Sequence, residues 1–288
     1  MFSLAVIPSI VLLVYIYKKD KREKEPMPLL MSCFLFGILI IAPVLVMETV
    51  LSVIEDSLFT PGSVFYAAFD GIIVAALSEE LFKYLALKFK TWKSKEFNCT
   101  FDGIVYAVFV SLGFATVENI NYVADGGISS AIGRMFTAVP SHACDAVFMG
   151  YFYSKAKKAS LENNTKLEKK YKKLALFVPI MVHGIYDCLI SFEEDVAGEA
   201  IVVIGILLWF AVIIAQFICA FVIVNIASKN DTALNISAEW PYQGNAAGTE
   251  PVYLFKKGVW LCGCNNMNNG NFCTACGTAK DAGVKMMW

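Results

Sequence analysis

The stretch ALSEELFKYLAL, Ala76–Leu87, sets two adjacent glutamates, Glu79 and Glu80, and one lysine, Lys83, inside an otherwise apolar run. Even on the most lenient scale an acidic side chain at mid-membrane costs roughly 2.5 to 3.5 kcal/mol, so such groups are functional by default. Lys83 follows Glu80 by three residues and Glu79 by four, and from one helix face it can reach either carboxylate. A lysine that neutralises one glutamate and snorkels to the cytoplasmic interface would still leave the second carboxylate without a partner on its own helix. Other apolar runs carry more such groups. GFATVENINY holds Glu118 and Asn119, with Asn121 close behind. FTAVPSHACDAVFMGY holds His142 with Asp145 three residues on, and VPIMVHGIYDCL holds His183 with Asp187 four residues on. These are the only 2 histidines of the chain. Each has a carboxylate one helical turn away that could fix its tautomer and orientation.

Carboxylates and imidazoles without an obvious nucleophile suit the activation of water. There is no G-x-S-x-G serine motif, no H-E-x-x-H and no pair of intramembrane aspartates in a protease pattern. One route uses a glutamate as general base, with a histidine stabilising the oxyanion or protonating the leaving amine. The other uses a metal ion held by His142, His183 and a glutamate. The residue types alone leave both routes open.

The elements that must position these groups are membrane helices. The chain of 288 residues is 57% hydrophobic and 17% charged, with a mean hydropathy of +0.59, too apolar for a soluble domain of this size. About seven runs approach the roughly 20 residues needed to cross a bilayer. They are Phe2–Tyr17, Leu29–Leu51, Val64–Phe89, Ile104–Val123, Met135–Tyr153, Leu174–Ile190 and Ala200–Ile226. The first lacks a basic leader and a small-residue cleavage site, so it reads as a retained helix. The expected fold is all-α, a polytopic transmembrane bundle ending in a small zinc ribbon.

Lysine-rich loops at Lys18–Glu25, Lys88–Asp102 and Ser154–Lys173 alternate with lysine-poor ones at Ser52–Gly62, Ala124–Arg134 and Glu193–Glu199. Basic loops stay cytoplasmic, which places the N-terminus outside and the C-terminal tail in the cytoplasm. Counted along the runs, Glu79 and Glu80 fall in the cytoplasmic half, and Glu118 and His142 in the outer half. At about 1.5 Å per residue, that separates them by about 10 Å in depth. The net charge of -1 adds nothing about partners, and no nucleic acid is expected among them.

Residues 229–255 read as a polar linker, rich in small and turn-forming residues. In WLCGCNNMNNGNFCTACGTAK, Cys262 and Cys264 are separated by one residue and Cys273 and Cys276 by two. Four thiolates at such spacing suit one tetrahedral structural Zn2+, and a reducing cytoplasmic tail favours zinc over disulfides. The stretch resembles the small zinc ribbons that end many bacterial membrane proteins. Cys33, Cys99, Cys144, Cys188 and Cys219 are scattered without ligand spacing and read as packing residues.

The bundle, residues 1–228, resembles a known family. EExxK at Glu79, Glu80 and Lys83, the block DGIVYAVFVSLGFATVEN, P-x-H at Pro140 and His142, and HGIYD at His183–Asp187 look, in this order, like the PrsW family of intramembrane proteases. The one departure is Ala107, where glycine is expected. More distantly the chain is similar to the CAAX-processing and bacteriocin-processing membrane proteases. The resemblance implies Glu79 and Glu80 as the water-activating pair, Glu118, His142 and His183 as the rest of the site, and Asn119 and Asp187 in support. It implies an endopeptidase of the bacterial cell membrane acting on a membrane-anchored protein; family members cleave such proteins, anti-sigma factors among them, but the resemblance does not carry that substrate over to this chain. The ribbon, residues 256–288, lies outside the likeness and would recruit a cytoplasmic protein. The alternatives from other classes are a proton-coupled transporter or channel, against which no inverted repeat is visible, and a receptor acting through its ribbon.

Overall fold

The computed structural model describes residues 2–192, 198–234 and three dipeptides of the tail. Residues up to Leu234 form one compact unit and Asn235–Trp288 a second. The first is an all-α bundle. Its helices are α1 (Phe2–Lys19), α2 (Met27–Leu39), α3 (Ile41–Leu58), α4 (Val64–Phe69), α5 (Ser78–Thr91), α6 (Asp102–Phe136), α7 (Ala138–Leu161), α8 (Thr165–Ile190) and α9 (Glu199–Lys229). Among the described residues, four segments are long and apolar enough to cross a membrane, namely Met27–Leu58, Asp102–Leu161, Thr165–Ile190 and Glu199–Lys229.

Local chemistry explains the breaks. Pro43 has no N–H to give the carbonyl of Leu39, and the chain steps from α2 into α3 at Ile40, three residues before it. Ser63 starts α4 by accepting from Tyr66 N (3.2 Å), and Asn164 starts α8 by accepting from Leu167 N (3.1 Å). Asp102 ties down the loop before α6, its Oδ2 accepting from the backbone N–H of Asn98 (3.0 Å) and Cys99 (2.6 Å). Residues 231–234, counted with the linker from sequence, hold to the same loop: Thr100 N donates to Thr232 O (2.9 Å) and Leu234 N to Asn98 O (2.6 Å).

The core lies between α6 and α7. Residues from Asp102 through Thr116 are buried all round, whereas α9 turns most of its apolar side chains outward. The two core helices run antiparallel, with Gly103 against Gly150 and Ser111 Oγ donating to the carbonyl of His142 (2.9 Å).

Two features of the backbone bear directly on the polar residues. Between α4 and α5 the helix widens into a π-helical stretch, Asp70–Leu77, which ends immediately before Ser78, Glu79 and Glu80. A π-turn takes in an extra residue and so rotates the side chains after it about the helix axis, a feature found often at functional sites. Against that stretch lies α8. A Cβ on Gly71 would sit 2.6 Å from Cys188 N, and one on Gly184 would sit 2.8 Å from both Cα and Cγ1 of Ile72, so the two backbones approach where neither glycine carries a side chain. This crossing delivers His183, the neighbour of Gly184, to Glu80. Gly184→Val is expected to lower stability by about 1 to 3 kcal/mol through overpacking, read as a fall in the thermal midpoint in detergent. An unchanged midpoint would show that the crossing has room to spare.

In the second unit Tyr253–Leu254, Trp260–Leu261 and Met267–Asn268 form a three-stranded antiparallel sheet, Tyr253 opposite Leu261 and Trp260 opposite Asn268. The four cysteines expected to bind zinc, Cys262, Cys264, Cys273 and Cys276, lie outside the described residues. The remaining five cysteines are free thiols; Cys33, Cys99 and Cys144 are buried in the packing, Cys188 is half-buried and Cys219 is exposed.

Candidate active site

Glu79 and Glu80 open α5, where their acidic side chains meet the first turn of a helix. Both are buried, Glu80 completely, and Lys83 is only 1% exposed. The lysine does not leave for an interface. Its Nζ donates to Glu79 Oε2 (2.9 Å), to Glu80 Oε1 (2.7 Å) and to His142 Nδ1 (3.2 Å), so all three ammonium protons are used. The expectation that one glutamate lacks a partner on its own helix is therefore corrected. Three-residue and four-residue spacings lie on one helix face, and a centred ammonium serves both carboxylates at once.

The depth expectation is corrected too. His142 Nδ1 lies 3.8 Å from Glu79 Oε2, and Glu118 Oε2 lies 2.7 Å from His142 Nε2. An ionised carboxylate can only accept, so Nε2 carries the ring proton and the Nδ1 lone pair faces Lys83 and the glutamates. The partner of His142 is thus Glu118, from the neighbouring helix α6. Asp145, one turn along α7, was the expected partner. Its Oδ1 instead accepts from Gln216 Nε2 of α9 (3.0 Å). The imidazole crosses to α6, where the helices are in direct contact, and Asp145 points to α9.

For His183 the sequence expectation holds. Asp187 Oδ2 lies 3.1 Å from its Nε2 and Glu80 Oε1 lies 3.0 Å from its Nδ1. The two imidazole rings stand nearly perpendicular, 5.3 Å apart between centroids. Phe114 walls one side, edge-on to His142 and 4.6 Å from the Lys83 ammonium. Asn119, expected in support, is buried but faces away from this centre. Its Nδ2 donates to Ala5 O (2.8 Å) and its Oδ1 accepts from Arg134 Nε (3.0 Å).

Arg134 had no place in the sequence reading. In a straight helix it would stand about 24 Å from Glu118. Gly127 adopts a φ of 67°, and beyond it α6 folds back. Arg134 Nη2 then comes within 2.9 Å of Glu118 Oε1. Its guanidinium also lies 3.9 Å from the Tyr122 ring centre. It is the one cation of an otherwise cation-free loop, a signal visible in the sequence. Gln216 likewise stands as an amide in the middle of the long apolar run of α9, where Asn225 near the helix end is the other.

Glu79, Glu80, His142 and His183 each present one ligand atom, and these four atoms lie within 4.8 Å of one another. Two imidazoles and two carboxylates are the donor types of a catalytic zinc site. Each imidazole is steadied from behind by a carboxylate, Glu118 or Asp187, the usual outer arrangement of metal-bound histidine. Glu80 Oε2 is buried without a hydrogen-bond partner. The residues therefore fit a metal ion, and Lys83 Nζ, which touches three of the same side chains, must swing aside on its four-carbon stem to admit one.

A family model described as PrsW family intramembrane metalloprotease matches residues 25–218. The chain is 38% identical over 197 residues to Protease PrsW of Geobacillus kaustophilus (strain HTA426), covering 67% of this chain and 82% of that one. It is 39% identical over 189 residues to Protease PrsW of Oceanobacillus iheyensis, covering 66% and 82%. To Protease PrsW of Halalkalibacterium halodurans it is 32% identical over 216 residues, covering 74% and 95%. No solved structure matches the chain.

Proposed function

Because the chain belongs to the PrsW family of intramembrane metalloproteases, and is thereby an integral membrane protease acting on a protein substrate, we propose that Glu79, Glu80, His142 and His183 form its catalytic centre. The observation that carries this reading is the convergence of two carboxylate-steadied imidazoles on one pair of buried glutamates. A divalent ion held by His142, His183 and Glu79 supplies Lewis acidity and a water activated near neutral pH.

The remaining roles belong to the chain itself. Glu79 Oε2 lies 3.8 Å from His142 Nδ1, the nitrogen of that ring whose lone pair is free for an ion, and this supports the ligand role given to Glu79. Glu80, with its unpartnered Oε2, takes the proton of the attacking water and returns it to the leaving amine. Glu118 and Asp187 hold the two rings in place. Arg134 holds Glu118 in turn, and Lys83 balances the paired carboxylates. The substrate is a membrane-anchored protein whose scissile segment enters the bundle; an anti-sigma factor or another signalling protein suits that description.

In this reading Cys262, Cys264, Cys273 and Cys276 hold a separate structural zinc, in a tail that binds a cytoplasmic protein. Metal content tests both centres together. The whole chain is expected to hold about two zinc ions, about one after the four cysteines are replaced by serine, and none when His142→Ala and His183→Ala are added. A full complement in the last variant would sink the bundle site. We also infer that the lysine-rich loops are cytoplasmic. A cysteine at Lys166 should then be labelled only from inside and one at Asp125 only from outside; the reverse pattern would invert the topology.

A further inference from the structure

Where the C-terminal ends of α1 and α9 meet, a cavity of about 590 Å³ opens between Lys19, Lys21, Arg22, Ser228 and Lys229, with Asp231 on its rim. Four cations against one carboxylate leave it strongly positive. The catalytic proposal uses none of them.

The cavity is held in shape by its own bonds. Lys19 Nζ donates to Asn225 Oδ1 (2.6 Å), linking the two helices. Main-chain carbonyls at a helix end repel anions, and two of the carbonyls near the cavity are engaged by side chains. Ser228 Oγ donates to the carbonyl of Lys19, and Arg22 Nη1 lies 3.5 Å from that of Asp231. Oδ1 of the Asp231 carboxylate accepts from Thr100 Oγ1 (2.9 Å) and Phe101 N (2.9 Å), while its Oδ2 is buried without a hydrogen-bond partner, so one carboxylate stands against the four cations. Lys21, Arg22 and Lys229 are exposed, and among the described residues none of them enters an ion pair. Away from the cavity, toward the middle of the bundle, the surface turns apolar. Lys19 stands over Tyr15 (5.4 Å) and Phe221 (6.0 Å), and Ile218, Phe221 and Val222 of α9 and Val14 of α1 face outward.

We propose that this cavity is a phosphate-recognising site that takes the headgroup of an anionic phospholipid, its acyl chains lying along the apolar flank of α1 and α9. A phosphodiester offers acceptors to the guanidinium and the ammonium groups. The position at the end of two membrane helices is where basic pockets meet anionic headgroups. The apolar flank separates a lipid from free phosphate, which has no use for it.

The test places the full chain in phosphatidylcholine nanodiscs carrying a spin-labelled phosphatidylglycerol and measures the immobilised fraction of the label. The pocket variant Lys21→Gln, Arg22→Gln, Lys229→Gln is expected to weaken that association by roughly tenfold or more. Removing the same charge from exposed α8 positions, with Lys166→Gln, Lys169→Gln and Lys170→Gln, should leave it within about twofold. Equal losses in both variants would reduce the effect to general surface charge and overturn the site. Displacement of the label by millimolar inorganic phosphate would overturn the lipid assignment. Should the pocket variant fail to fold, a photoactivatable phosphatidylglycerol on the wild-type chain decides. Adducts within residues 15–22 and 218–229 support the site, and adducts spread over the bundle surface overturn it. Peptide hydrolysis enters none of these readouts, so they stand or fall separately from the catalytic centre.

Discussion

Glu80→Gln is expected to lower hydrolysis of a membrane-anchored substrate by roughly 10² to 10⁴, the scale of a lost general base, with the helical fold intact. Glutamine nearly matches glutamate in shape, and its amide oxygen can still accept from Lys83, which sits 2.7 Å from Glu80 Oε1. What it cannot do is bind the proton of water. Glu79→Gln should cost a similar amount by a different route, weakening the hold on the metal, so zinc content separates the two: retained in Glu80→Gln, reduced in Glu79→Gln. Glu118→Gln should cost less than either. Its amide can still meet His142 Nε2 through the oxygen, and Arg134 keeps the segment in place. The measurement is release of a cleaved fragment from a reconstituted substrate, with circular dichroism as the check on folding. Undiminished cleavage by the Glu80→Gln protein would remove Glu80 from the chemistry.

Stripping the metal is expected to abolish hydrolysis altogether, and adding Zn2+ back to restore it. Four ligand atoms lie within 4.8 Å of one another and both histidines are backed by carboxylates, the donor types and outer arrangement of a catalytic zinc site. The measurement uses the whole chain with its four tail cysteines replaced by serine, so that a chelator acts on the bundle alone. Removal should leave the bundle folded, because Lys83 already bridges Glu79, Glu80 and His142 and supplies the positive charge that paired buried carboxylates require. Full activity in demonstrably zinc-free protein would leave a glutamate-based mechanism, the other route that the residue types allow.

Much of this protein is written in one dimension. Its apolar composition requires a membrane, since a chain this hydrophobic has no other solvent in which to fold. Glu79, Glu80, Lys83, Glu118, His142, His183 and Asp187, set in apolar runs, point to a candidate site, because a bilayer penalises such groups and function or mutual pairing must offset the cost. The pair His183 and Asp187 could be read directly, because four residues along one helix is a fixed geometry. Partners across helices could not. His142 meets Glu118 rather than Asp145, and Lys83 reaches both glutamates and a histidine, because those contacts depend on how far each helix slides and turns against the next. Sliding is set by the close crossing at Gly71 and Gly184, and turning by the π-helical stretch before Glu79. The reversal at Gly127 then brings Arg134 to Glu118, although a straight helix would hold them turns apart. Helical period fixes which residues share a face. Depth and approach between faces come only from packing, and the candidate site is assembled at that level.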